Sequence, residues 1–179
     1  MNRKQKGFSL IELLIVVAII LIIAAIAIPN LLRSKMAANE ASAVGSVRTI
    51  LTASVTYSST YDNGFPPTLA ALAPPAAPPA TCDNSGLIDP VVANATTAAT
   101  AKSGYYFTYS GFSPLATAAK GCTNPGVQAM AVDAQPAIVG TTGQRSFCTD
   151  QTGVIRFDPT GAAIAVTANG CDPTATALQ

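Results

Sequence analysis

Residues 4–29 read KQKGFSLIELLIVVAIILIIAAIAIP. Between Phe8 and Ile28 only Ser9 and Glu12 are polar. At the rise of an α-helix this run spans about 30 Å, enough to cross the hydrocarbon core of a bilayer. Arg3, Lys4 and Lys6 precede it, which predicts a cytoplasmic N-terminus and puts everything after Pro29 outside. The single carboxylate near the start of the run is the anomaly. An ionised side chain at the middle of a bilayer costs about 2.5–3.5 kcal/mol even on insertion-based scales, so Glu12 needs a partner.

Three readings of the run compete. A plain membrane anchor explains its length and leaves Glu12 alone. A cleavable secretory signal finds support in Ala25-Ile26-Ala27, which has the small-x-small pattern preferred before a signal-peptidase cut. Against it stand the long apolar stretch and the glutamate inside it. The third reading begins at Lys6-Gly7-Phe8-Ser9-Leu10-Ile11-Glu12, where a basic leader, a glycine, a phenylalanine and a glutamate four residues on are followed by unbroken apolar sequence.

That combination resembles the prepilin signal of the type IV pilin and type II secretion pseudopilin superfamily, over residues 1 to about 60. The resemblance implies a leader of residues 1–7, removed on the cytoplasmic side after Gly7 by a prepilin peptidase that also N-methylates the new terminus, Phe8. It implies a single-pass inner-membrane protein with its head outside the cytoplasm, which an assembly platform then polymerises with copies of itself. The product is an extracellular pilus used in adhesion, motility or DNA uptake, or a periplasmic pseudopilus of type II secretion. Pro29 stands where pilins commonly carry a proline.

Glu12 gains a physical role on this reading. Cutting after Gly7 creates a cationic amine at Phe8, and the Glu12 carboxylate of a neighbouring subunit can neutralise it. Removing one partner from such a buried pair costs roughly 3–5 kcal/mol, whereas the helix's own N-terminal dipole contributes only about 0.3–1 kcal/mol.

The rest of the chain bounds the function. Its 179 residues, 49% of them apolar, suit one modest domain beside the N-terminal run. Beyond Gly7 there are 7 basic and 9 acidic residues, with Lys102, Lys120, Arg145 and Arg156 scattered singly, so no nucleic-acid surface is expected. Histidine is absent, and with it the commonest general base and nitrogen metal ligand. No catalytic set or cofactor motif emerges, and the chain reads as a non-enzyme. A runner-up of another class is an exported, disulfide-stabilised binding domain using the aromatic cluster Tyr105, Tyr106, Phe107, Tyr109 and Phe112. At strand spacing those residues suit sheet packing better.

The fold expected is α+β. One helix covers residues 8–61, with 8–28 as the membrane and assembly segment. It is kinked at Pro29 and loosened at Gly45, and it carries Val44, Val47, Leu51 and Val55 as an apolar stripe under the head. A Pro/Ala/Thr-rich surface loop fills 62–103. Residues 104–179 form an antiparallel sheet from GYYFTYSGF, VQAMAVDAQPAI, RSFCT, VIRFD and AAIAVTA, with Asp150–Gly153 and Asp158–Gly161 as tight turns joining neighbouring strands. Cys82, Cys122, Cys148 and Cys171 read as two disulfides in an oxidising compartment. Cys148 and Cys171 bracket the end of the sheet, which favours pairing them and leaving Cys82 with Cys122, although three pairings exist. Of Asp133, Asp150, Asp158 and Asp172, two sit in turn sequences that already explain them, so no calcium ion is assigned, and Arg145 and Arg156 read as solvent-face charges. Asn94-Ala95-Thr96 matches a glycosylation sequon.

Overall fold

A chain with one long apolar run and a series of short alternating segments must bury each segment's apolar face against another element. The computed structural model of the chain describes residues 8–178, and it divides into a unit ending at Lys35 and a second beginning at Met36. Helix α1 spans Leu10–Tyr61, running through both Pro29 and Gly45. Among the described residues of the first unit it is the sole element. Its large side chains from Phe8 to Leu32 are exposed, and it is long and apolar enough to cross a membrane.

In the second unit the helix covers one face of a five-stranded antiparallel sheet. The strands are β1 (Tyr105–Pro114), β2 (Val127–Pro136), β3 (Ser146–Asp150), β4 (Ile155–Asp158) and β7 (Thr176–Ala177), in that spatial order. Register sets the two faces: Tyr109 pairs with Val132, Ala134 with Phe147, and Thr149 with Ile155. Tyr105, Phe107, Met130, Val132, Ala134, Phe147 and Ile155 therefore point to the helix and form one core with Ala43, Val47, Ile50, Ala53 and Tyr57. Val47 is on the face the sequence pattern picks, and Val44 and Leu51 pack at its edge. Val55, by contrast, is 52% exposed, because positions 43, 47, 50 and 57 track the helical period more closely than a strict run of fours.

The segment 62–103 contributes more than a surface loop. It forms a short 3₁₀ turn at Leu69–Leu72, helix α2 at Pro90–Asn94 and a second 3₁₀ turn at Ala98–Thr100. Leu69, Leu72, Ile88, Val92 and Ala95 enter the main core. Asp89 caps α2, its carboxylate accepting from the Val91 N–H at 2.7 Å, and Pro90 occupies the first turn, where a missing N–H costs nothing.

The opposite face of the sheet has its own cover. The turn Asp150–Gly153 joins β3 to β4, as its composition predicts. Asp158–Gly161 instead ends β4 and delivers the chain to that outer face. AAIAVTA is therefore not a strand of the main sheet. Only Val166–Thr167 (β5) is paired, with Gly170–Cys171 (β6), in a separate two-stranded ribbon. Ile164 turns inward and packs with Ala131, Cys148 and Cys171 in a second small core.

Candidate functional site

Gly7, the residue after which the leader would be cut, lies outside the described residues. Phe8 is 80% exposed just ahead of α1. Glu12 lies in the first helical turn, and its Oε2 accepts the Ser9 N–H at 2.9 Å. Four N–H groups are left unpaired at any helix start, and a glutamate reaching back from the third position satisfies one of them. A carboxylate has about four acceptor sites, and among the described residues Ser9 is the donor recorded on this one. Glu12 therefore closes the start of its own helix and keeps acceptor capacity for another cation. Pro29 has no N–H to give the Ala25 carbonyl, a local weak point in an otherwise continuous helix.

The head is locked by contacts that the sequence conceals. Glu40, only 7% exposed, accepts from the backbone N–H groups of Gln144 and Arg145 at 2.9 and 3.2 Å. Its other oxygen takes the Arg145 guanidinium, with Nε at 2.9 Å and Nη2 at 2.7 Å. That guanidinium lies over the Phe147 and Phe157 rings, 5.6 and 5.4 Å from their centres. Arg145 is thus no simple solvent-face charge. Neither is Arg156, whose Nη1 donates to the Pro173 and Ala175 carbonyls at 3.2 and 3.1 Å. Asn63 is fully buried where α1 ends. Its amide donates to the Tyr57 hydroxyl and the Asn124 carbonyl, and its Oδ1 accepts from the Ala119 N–H, fixing the β1–β2 connection.

Cys82 is joined to Cys122 and Cys148 to Cys171. The first bond ties the 62–103 segment to the β1–β2 connection, and the second ties β3 to β6. The four acids downstream divide into two kinds. Asp158 and Asp172 sit in exposed turns, each accepting the N–H and hydroxyl of the threonine two residues on. Those bonds hold both carboxyls below the usual range, chiefly the Thr160 hydroxyl for Asp158 and the Thr174 N–H for Asp172. Asp133 and Asp150 are buried on the outer face of the sheet. Burial pushes the Asp133 carboxyl up to about 6, against the lowering effect of bonds from Gln135 and Ile164. Among the described residues no group of three His, Cys, Asp or Glu side chains converges as a metal site. Tyr105 and Phe107 are buried beneath the helix, Tyr109 donates to the Pro66 carbonyl at 2.8 Å, and Tyr106 and Phe112 lie on the outer face.

Comparison with known proteins bears on the N-terminal segment. The family model described as the prokaryotic N-terminal methylation motif matches residues 2–28. The type IV wide pilus major component PilA4 of Thermus thermophilus is 63% identical over 38 residues, 21% of this chain and 29% of the relative. The type IV major pilin protein PilA of Myxococcus xanthus is 43% identical over 61 residues, 34% of this chain and 28% of the relative. The matches thus span less than a third of either relative's length. No solved structure gives a significant match.

Proposed function

Since the chain belongs to the type IV pilin superfamily through its N-terminal segment, we propose that it is a pilin, the repeating structural subunit of a type IV pilus. Prepilin peptidase removes residues 1–7 and methylates Phe8. Residues 8–28 hold the subunit in the inner membrane, with the head from residue 36 onward outside the cytoplasm. An assembly platform then draws the helices of many copies into a filament that leaves the cell for adhesion, motility or DNA uptake.

The observation that carries this reading is the pairing of an exposed apolar helix with a carboxylate in its first turn. In lipid, exchanging acyl contacts for helix contacts yields little by itself, because lipid tails are as apolar as leucine. A charge pair between the Phe8 amine of one copy and Glu12 of the next supplies what dispersion does not. Satisfying Ser9 with one Glu12 oxygen leaves acceptor sites for that amine. Both relatives are named as pilus components, which favours the surface filament over the pseudopilus.

The deciding experiment is the mass of the N-terminal peptide from protein made in its native host, combined with electron microscopy of sheared cells. The expected peptide begins at N-methylated Phe8 and comes from long fibres. A peptide beginning at Ile28 would replace this reading with release by signal peptidase, and an intact Met1 in all of the protein would replace it with a plain anchor.

A further inference from the structure

The outer face of the sheet is closed by one continuous segment, held at spaced points by side chains of the strands beneath. The Ser146 hydroxyl donates to the Ala162 carbonyl. Asp133 Oδ1 accepts the Ile164 N–H at 3.4 Å. Asp150 Oδ2 accepts the Cys171 N–H at 3.0 Å beside the Cys148–Cys171 disulfide. Arg156 holds the Pro173 and Ala175 carbonyls. The apolar area beneath is small, comprising Ala131, Cys148, Ile164 and Cys171 with Phe112, Val166 and Ala175 at its edge. Such a segment is fastened mainly by polar groups and one covalent bond, so its closure depends on their state.

We propose that residues 159–175 form a latch over the outer face of the sheet, pinned by the Cys148–Cys171 disulfide and graded by the protonation of Asp133. Asp133 is 4% exposed. Among the described residues no cation faces it that would hold it ionised. Opposite it on β1 stands Thr108, with Tyr106 next along that face. On β3 stand the bonded Cys148 and the acidic Asp150. Arg156 on β4 is turned to the carbonyls of the latch, and α1 packs on the other side of the sheet. Its polar partners are the Ile164 N–H and the Gln135 amide, whose Nε2 donates to Oδ2 at 2.6 Å while its Oε1 accepts the Tyr106 hydroxyl at 2.9 Å.

Gln135 suits both ionisation states. When Asp133 takes a proton, the amide turns over, Oε1 accepts the new O–H, and Nε2 donates to the Tyr106 oxygen. The protonated acid is then satisfied under a closed latch. The ionised acid gains most from water, and water reaches it when the latch lifts. Acid therefore tightens the latch and neutral pH loosens it. Asp158 and Asp172 at its turns titrate below this range, and the chain has no histidine to titrate within it.

The test is hydrogen exchange on the full chain in detergent micelles, corrected for intrinsic exchange rates, at pH 5 and pH 7.5. With Asp133 at about 6 when covered and 3.8 when hydrated, opening should rise about tenfold over that interval. The amides of Ile164, Cys171 and Asp172 should lose that much protection, while the paired amides of β1 and β2 should not. Asp133→Asn, which keeps the shape and the acceptor for Ile164, should flatten the dependence. The proposal is overturned by a wild-type latch whose protection does not change, by an equal change in the β1–β2 amides, or by an Asp133→Asn profile that still follows the wild type.

Discussion

Glu40→Ala tests the idea that the helix and the β2–β3 connection are held together through one carboxylate. The loss has two parts. Two backbone N–H groups, those of Gln144 and Arg145, lose their acceptor in a part-buried site, at about 1 kcal/mol each. The ion pair with Arg145 is lost as well. Because the arginine side chain is 39% exposed, solvent screening limits that part to about 0.5–1 kcal/mol. The sum is about 3 kcal/mol, a fall of roughly 6–12 °C in Tm for a unit of this size. Thermal unfolding of the full chain in micelles, followed by tyrosine near-UV circular dichroism, measures it. The paired variants discriminate between the two parts. Glu40→Gln keeps an oxygen for the two N–H groups and should cost about 1 kcal/mol, and Arg145→Ala should cost less than Glu40→Ala. If Glu40→Gln and Arg145→Ala each cost as much as Glu40→Ala, the backbone contribution is nil and the reasoning fails.

Further outcomes follow from other contacts. Glu12→Ala should leave the protein in the membrane and abolish filaments, read by shearing and microscopy, and undiminished fibres would remove the charge-pair argument. Replacing both cysteines of either disulfide by alanine should lower stability by about 3–4 kcal/mol, from closed loops of 40 and 23 residues, as measured by urea denaturation. Gly126→Ala should cost more than about 3 kcal/mol or prevent folding, because its Cβ would lie 1.6 Å from the Asn63 carbonyl oxygen, and backbone cannot move aside as a side chain would. Asp133→Asn should stabilise the head by up to about 3 kcal/mol at pH 7.5 and hardly at pH 4. A carboxyl raised from 3.8 to about 6 by folding stabilises fully below its unfolded value and loses that contribution as pH rises through 6, so removing the charge matters only above that window.

Much of this was legible in the sequence for physical reasons. An unbroken apolar run announces a long helix within one contiguous stretch, so the first half of α1, with its exposed apolar side chains, could be read from residues 8–28 alone. Alternation in GYYFTYSGF and VQAMAVDAQPAI marks β1 and β2 because one face of each must meet the helix. AAIAVTA misleads because alternation reports a surface with one buried side and not which partner buries it. Its Ile164 enters a second core that exists only once Cys148, Ala131 and Cys171 have been brought together. Val55 misleads because a spacing of fours drifts off the buried face. Glu40 was invisible, since its arginine lies 105 residues downstream and no local pattern marks it. Asp133 left no signal beyond being an acid within a strand of apolar alternation.

Three carboxylates surrounded by apolar sequence have now met three fates, and the contrast bears on function. Glu40 is surrounded by donors from its own chain, and such an acid needs nothing from outside. Asp133 has neutral partners and meets its burial by holding a proton more tightly. Glu12 has, among the described residues, one backbone N–H, and it lies in the stretch from Phe8 to Leu32, whose large side chains are exposed. Neither solution is built around it within the described chain. A carboxylate that must enter a dry environment with most of its acceptor sites open is a strong attractor for a cation supplied there. On the proposed reading, the Phe8 amine in a stack of identical processed helices would be such a cation, one per copy, facing the same lack of water. The two needs are equal in number and opposite in sign, and sharing one helix end fixes their spacing, so a repeating array answers both where a single subunit answers neither.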